Sequence, residues 1–127
     1  MHPVIVVFLG AGTGGVIRHL VNLAVPKLLG AAFPFATFII NVTGSLLMGL
    51  IVGYLAFKDG EFWSQTMRLF LTTGILGGYT TFSTFSLDFA LLFERGDAAL
   101  AVTYVVASVL LSLLAVFAGL AIMRTLS

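Results

Sequence analysis

Apolar residues run along most of the chain and are interrupted only where charge, glycine or proline gathers, at Lys27 to Pro34, Lys58 to Gln65 and Glu94 to Ala98. Four apolar stretches remain, over about 3–29, 33–57, 65–94 and 98–124. Each is long enough to cross a hydrocarbon core about 30 Å thick, which takes about 20 helical residues. The pattern predicts one all-α membrane domain over residues 1–127, with four transmembrane helices. Short connections predict antiparallel packing of neighbours. The first stretch is too long for a signal-peptide core and lacks a small-residue cleavage site, so it reads as a retained helix.

The third stretch carries a contradiction. Its middle reads "TTGILGGYTTFSTFS", with Gly74, Gly77 and Gly78 ahead of Thr80, Thr81, Ser83, Thr84 and Ser86. A glycine pair followed by two β-branched threonines weakens a helix, so a break near 77–81 is expected. In lipid, an unwound turn survives only where it is buried in protein or lines a wet cavity. Half-helix ends there offer carbonyls to a cation or amides to an anion, and both kinds of ion are candidates. Hydroxyls in membrane helices also bond back to their own backbone, and glycines such as Gly10, Gly14, Gly49 and Gly53 allow close packing.

Other polar positions fall in rows. Thr37, Asn41, Gly44 and Met48 recur at helical spacing in the second stretch, and Tyr104, Ser108 and Ser112 in the fourth. Three helices thus each present a hydroxyl or amide face, which a shared polar track explains more economically than isolated hydrogen bonds. Phe82 and Phe85 share a helical face continued by Phe89 and Phe93. Such a stripe usually serves packing, yet the positive edge of an aromatic ring also suits a small anion. Arg18 lies about halfway along the first stretch, where a charge is costly and marks function by default. His19 beside it is assigned no role. Asp88 is a candidate mouth group or a partner in a helix-packing ion pair.

Composition removes the competing classes. The chain has 127 residues, 60% hydrophobic and 9% charged, with a net charge of +1. Mean hydropathy is +1.16. Four spans use up this length and leave no soluble catalytic domain, and no basic patch invites nucleic acid. The absence of cysteine excludes disulfides and thiolate metal sites. No HExxH, GxSxG or Ser-His-Asp set can be assembled, so the chain does not read as an enzyme. Lys58, Arg124 and Arg68 fall on one membrane face and Lys27 and Arg95 on the other, a bias of three against two. So even a balance motivates insertion in both orientations and an antiparallel homodimer.

"GGYTTFSTFS", the "GGVIR" ending in Arg18 and the "TFIIN" ending in Asn41 together resemble the small bacterial fluoride channels, the Fluc or CrcB proteins, along nearly the whole chain. The resemblance implies an antiparallel, dual-topology homodimer in the bacterial inner membrane, with a broken third helix in each subunit and two fluoride pores. It implies passive export of toxic cytoplasmic fluoride. By motif, Phe82 and Phe85 would be the ring edges that meet the ion and Asn41 the polar ligand beside them. Thr37, Ser83, Tyr104, Ser108 and Ser112 would belong to the polar track, with Arg18 toward the vestibule. Gly77 and Thr80 would give backbone carbonyls to a structural sodium ion on the two-fold axis. Where the family pattern expects a glutamate after "FSTFS", this chain has Asp88. The competing readings are a small proton-coupled exporter, which needs a deep carboxylate that the first two stretches lack, and a structural membrane subunit.

Overall fold

A computed structural model describes residues 2–57 and 65–126. Among these the chain is helical throughout, apart from short turns, and contains no strand. Helix α1 runs Pro3–Leu29: Pro3 occupies the first turn, where its missing N–H costs nothing, and His2 caps it by accepting from the Val4 N–H through Nδ1 at 3.1 Å. Gly30, at φ 82°, ends it and returns its N–H to the Pro26 carbonyl at 2.9 Å. Helix α2 spans Phe35–Phe57 and α6 spans Ala98–Leu126.

Between them lie α3 (Gln65–Leu69), a π-helical segment (Phe70–Leu76), α4 (Gly77–Tyr79) and α5 (Phe82–Glu94). Thr80 and Thr81, between α4 and α5, have extended backbone, with φ/ψ of −78°/159° and −152°/123°. Gly96, at φ 96°, turns the chain from α5 into α6. Among the described residues, α1, α2 and α6 are the three helices long and apolar enough to cross a membrane. The stretch at 65–94 is instead divided among shorter elements. Lys58 and most of the connection at 58–65 lie outside the described residues.

Close approach through glycine determines which helices pair. A Cβ on Gly49 would strike the Val116 carbonyl, and one on Gly119 would lie 2.6 Å from the Leu46 carbonyl, so α2 and α6 meet almost backbone to backbone. On the other side, Gly10 and Gly14 of α1 face the backbone of the π segment and α4, and Gly78 faces Ala11. Small residues at helix contacts are the rule in lipid, where no hydrophobic force drives helices together and packing must do so. Gly12 and Gly15 face open space, because only residues three or four apart share a helical face. The most extensive contacts are therefore α2 with α6 and α1 with the elements of the third stretch.

Few apolar side chains are buried: Val6, Ile40 and Leu76 singly, and a cluster of Leu92, Ala101 and Tyr104 with Phe33, Phe38, Phe85, Phe89 and Leu100 packed around it. Large apolar side chains such as Phe8, Leu28 and Leu114 point outward. Lipid solvates them as well as a protein interior would, so a membrane protein has no need to bury them.

Candidate functional site

The site is organised around the extended pair Thr80–Thr81. Thr80 still closes the preceding turn, with its N–H and its hydroxyl both donating to the Leu76 carbonyl at 3.0 Å. Thr81 turns away. Its N–H donates to Asn41 Oδ1 at 2.9 Å, and its carbonyl accepts from Asn41 Nδ2 at 3.0 Å. Its hydroxyl accepts from the Thr84 N–H at 3.2 Å and so caps α5. The side-chain amide thereby replaces the helical bond that the Thr81 N–H gives up and adds a second donor to the carbonyl that begins α5, which answers the demand that no backbone polar group in a membrane be left bare.

The four carbonyls from Gly77 to Thr80 lose their helical donors at the break. In an unbroken helix Gly77 would accept from the Thr81 N–H, and Thr80 from the Thr84 N–H. Those two N–H groups bond Asn41 and the Thr81 hydroxyl instead.

Helix α2 is shaped to receive this turn. Gly44 leaves room for the Thr80 methyl and the Tyr79 ring. The Thr43 hydroxyl donates to the Ile39 carbonyl at 2.6 Å and accepts from the Tyr79 hydroxyl at 2.9 Å. These contacts hold both ends of the short α4–α5 junction against one helix face.

Beside the junction, α2, α5 and α6 enclose an open groove of about 350 Å³. Asn41, Gly44, Ser45 and Met48 line it from α2, Phe82 and Phe85 from α5, and Ser108 and Ser112 from α6. Thr80 and Thr81 close one side, and no charged side chain enters. Phe82 and Phe85 lie with ring centroids 5.7 Å apart, tilted by 44°. Phe82 is 78% exposed. Ser108 is buried to 4% exposure, and its Oγ has no hydrogen-bond partner among the described residues. Asn41 has given one amide N–H to Thr81 and keeps its second. The groove is thus lined by an amide, three serines and two phenyl rings, a neutral set suited to a small anion held loosely.

Behind Phe85 lies a second layer. Tyr104 is fully buried 5.2 Å from the Phe85 ring, and its hydroxyl donates to Asp88 Oδ2 at 3.1 Å, with Thr37 buried as well. Tyr104 therefore pairs with Asp88, and neither Tyr104 nor Thr37 lines the groove with Asn41, Ser108 and Ser112. Asp88 takes part in a hydrogen bond with a tyrosine and in no ion pair among the described residues; the pair found there joins Arg95 and Asp97. Ser83 is exposed and off the groove. Arg18 is half-buried on α1, away from it. Gly77 borders a different cavity, of about 500 Å³, together with Met48, Arg68 and Thr73.

Sequence reasoning missed Ser45 and the part played by Thr81. Ser45 follows Asn41 by one helical turn, so the periodicity that marked Thr37 and Gly44 could have found it. Thr81 acts through its backbone, which has no side-chain signature.

Residues 5–120 match the family described as CrcB-like protein, Camphor Resistance (CrcB). A protein named fluoride-specific ion channel FluC from Rhodopseudomonas palustris (strain BisB5) is 58% identical over 123 residues, covering 97% of this chain and 98% of its own. One of the same name from Beijerinckia indica subsp. indica is 53% identical over 127 residues, the full length of both. Another, from Rhizobium meliloti (strain 1021), is 49% identical over 126 residues, 99% of each. These matches take in α2, the Thr80–Thr81 junction and α6 together, and the chain belongs to the CrcB-like family.

Proposed function

We propose that this multi-pass membrane protein is a fluoride channel that lets cytoplasmic fluoride leave by passive electrodiffusion. The observation that carries the reading is an uncharged groove lined by Phe82, Phe85, Asn41, Ser108 and Ser112, with the buried Ser108 hydroxyl unpartnered among the described residues. Fluoride is small and strongly hydrated, so a pore must replace its water with donors without holding it too tightly to leave. Neutral donors and ring edges meet both demands; a row of arginines would trap the ion. The names of the relatives agree with this choice of anion.

In this reading the third stretch is one membrane span broken at Thr80–Thr81, and four spans form each subunit of an antiparallel, dual-topology homodimer with two pores. A phenyl ring left 78% exposed at the rim of an open groove supports a second copy as the missing wall. Ser112, Ser108 and Asn41 form the polar track, and Thr37 and Tyr104 continue it past Phe85 toward Asp88. Ser83, turned away from the groove of its own subunit, belongs to the face offered to the partner. Arg18 serves the vestibule by drawing anions to it.

The diverted carbonyls of Gly77 and Thr80 fit a structural sodium ion, because they are acceptors whose helical donors are bonded elsewhere. Oxygen donors suit so hard a cation, and no group of three His, Cys, Asp or Glu side chains competes for a metal among the described residues. Bound there by both subunits, sodium would supply a fixed positive charge near both pores.

The test is to replace Phe82 and, separately, Phe85 by isoleucine and measure fluoride flux in liposomes. Ring edges are what the side chain contributes, so each variant should lose rate by up to about tenfold, the upper range of what one aromatic contact is worth. Unchanged flux in both would return the Phe pair to packing and favour a structural subunit.

A further inference from the structure

Phe85 does not stand alone behind the groove. Its ring lies 5.2 Å from Tyr104, and Tyr104 meets Phe33 edge-on, at 5.4 Å and 87°. Edge-to-face contacts fix the direction of a ring as well as its place. Phe33 belongs to the turn between α1 and α2, where its ring also meets Phe35 and Phe38 at the start of α2, at 4.7 and 6.3 Å. That turn is tied to the other turn on the same side of the molecule by Arg95. Arg95 Nη2 donates to the Ala32 carbonyl at 2.9 Å, one residue before Phe33, while its Nε donates to Asp97 Oδ2 at 2.8 Å.

Both side chains of the Arg95–Asp97 pair are about half exposed, and such a pair contributes little stability by itself. Its effect is directional. With Nε committed to Asp97, the planar guanidinium is aimed so that Nη2 meets Ala32, a two-point geometry that a lysine ammonium cannot reproduce.

We infer that Arg95 and Phe33 are positioning residues, clamping Tyr104 and through it the Phe85 ring, so that a turn at the surface sets how well the groove tells fluoride from a larger anion. This inference rests on the fluoride-channel reading. The chain from turn to groove is continuous: Ala32 is held, Phe33 follows it, Tyr104 is pinned between Phe33 and Phe85, and Phe85 sits beside Phe82.

The experiment measures fluoride and chloride release from liposomes for wild type, Arg95→Lys, Phe33→Leu, the double variant and Phe33→Tyr, with melting temperature recorded for each. A clamp predicts that Arg95→Lys and Phe33→Leu each lower the fluoride-to-chloride ratio, by up to about tenfold for the lost ring contact. It also predicts a double variant no worse than Phe33→Leu alone, since the two residues act in series, and a wild-type ratio for Phe33→Tyr, which keeps the ring. An unchanged ratio in Arg95→Lys would overturn the clamp and leave Arg95 as a charge. So would additive effects in the double variant, or losses of rate that follow melting temperature with the ratio intact. A wild type that releases no fluoride would overturn the channel reading and the clamp with it.

Discussion

Asn41 and Ser108 face the same groove but differ in what else depends on them. The Asn41 amide satisfies both the N–H and the carbonyl of Thr81, at 2.9 and 3.0 Å. Replacing it by alanine leaves the Thr81 N–H without a partner, which costs about 1–3 kcal/mol for a buried group, and takes one of two donors from the Thr81 carbonyl. Asn41→Ala should therefore lower the melting temperature in detergent and abolish flux together. Ser108 Oγ has no hydrogen-bond partner among the described residues. Ser108→Ala should leave stability within about 0.5 kcal/mol of wild type, while flux falls by about three- to tenfold if the hydroxyl donates to the passing ion. A Ser108→Ala protein that melts early with normal flux would make the hydroxyl structural. The sequence placed Asn41 and Ser108 on polar rows correctly enough to mark them. It did not separate them from Thr37 and Tyr104, because helical spacing reports a face and says nothing of what stands in front of it. Here Phe85 stands in front, and Tyr104 bonds Asp88 behind it.

At the scale of elements, glycine decides who packs with whom. A Cβ on Gly14 would run into the Ile75 carbonyl and lie 2.9 Å from the Tyr79 nitrogen, where neither atom can yield because both are backbone. Gly14→Ala should destabilise the protein by about 1–3 kcal/mol, as overpacking does. Gly12, two residues away and facing open space, should tolerate alanine, with a gain of up to about 1 kcal/mol from its better helix propensity. Paired melting curves of the two variants check this, and equal losses would contradict the packing described. The long apolar runs of α1, α2 and α6 were plain in the sequence because lipid requires them. The partnership of α2 with α6 was not. Short connections favour sequence neighbours, whereas close approach at Gly49 and Gly119 brings α2 to α6. The extended backbone at Thr80–Thr81 falls inside the range that Gly77, Gly78 and the paired threonines pointed to. Its π-helical lead-in, Phe70–Leu76, had no signal in the pattern.

For the whole molecule, the proposed antiparallel homodimer makes a prediction of its own. The chain has no cysteine, so a single cysteine added at one terminus gives a clean reporter. In whole cells an impermeant maleimide should label about half of the copies from outside, as a chain with little Lys and Arg bias would insert both ways. Labelling of all or none would remove the antiparallel dimer. The central claim, that fluoride crosses as a free ion, is tested most directly by loading liposomes containing the wild-type protein with potassium fluoride or potassium chloride and following release after adding valinomycin. Fluoride should escape fast only once valinomycin lets potassium follow, with chloride retained. No fluoride release from folded protein, or release that proceeds without valinomycin, would contradict electrodiffusion through the groove.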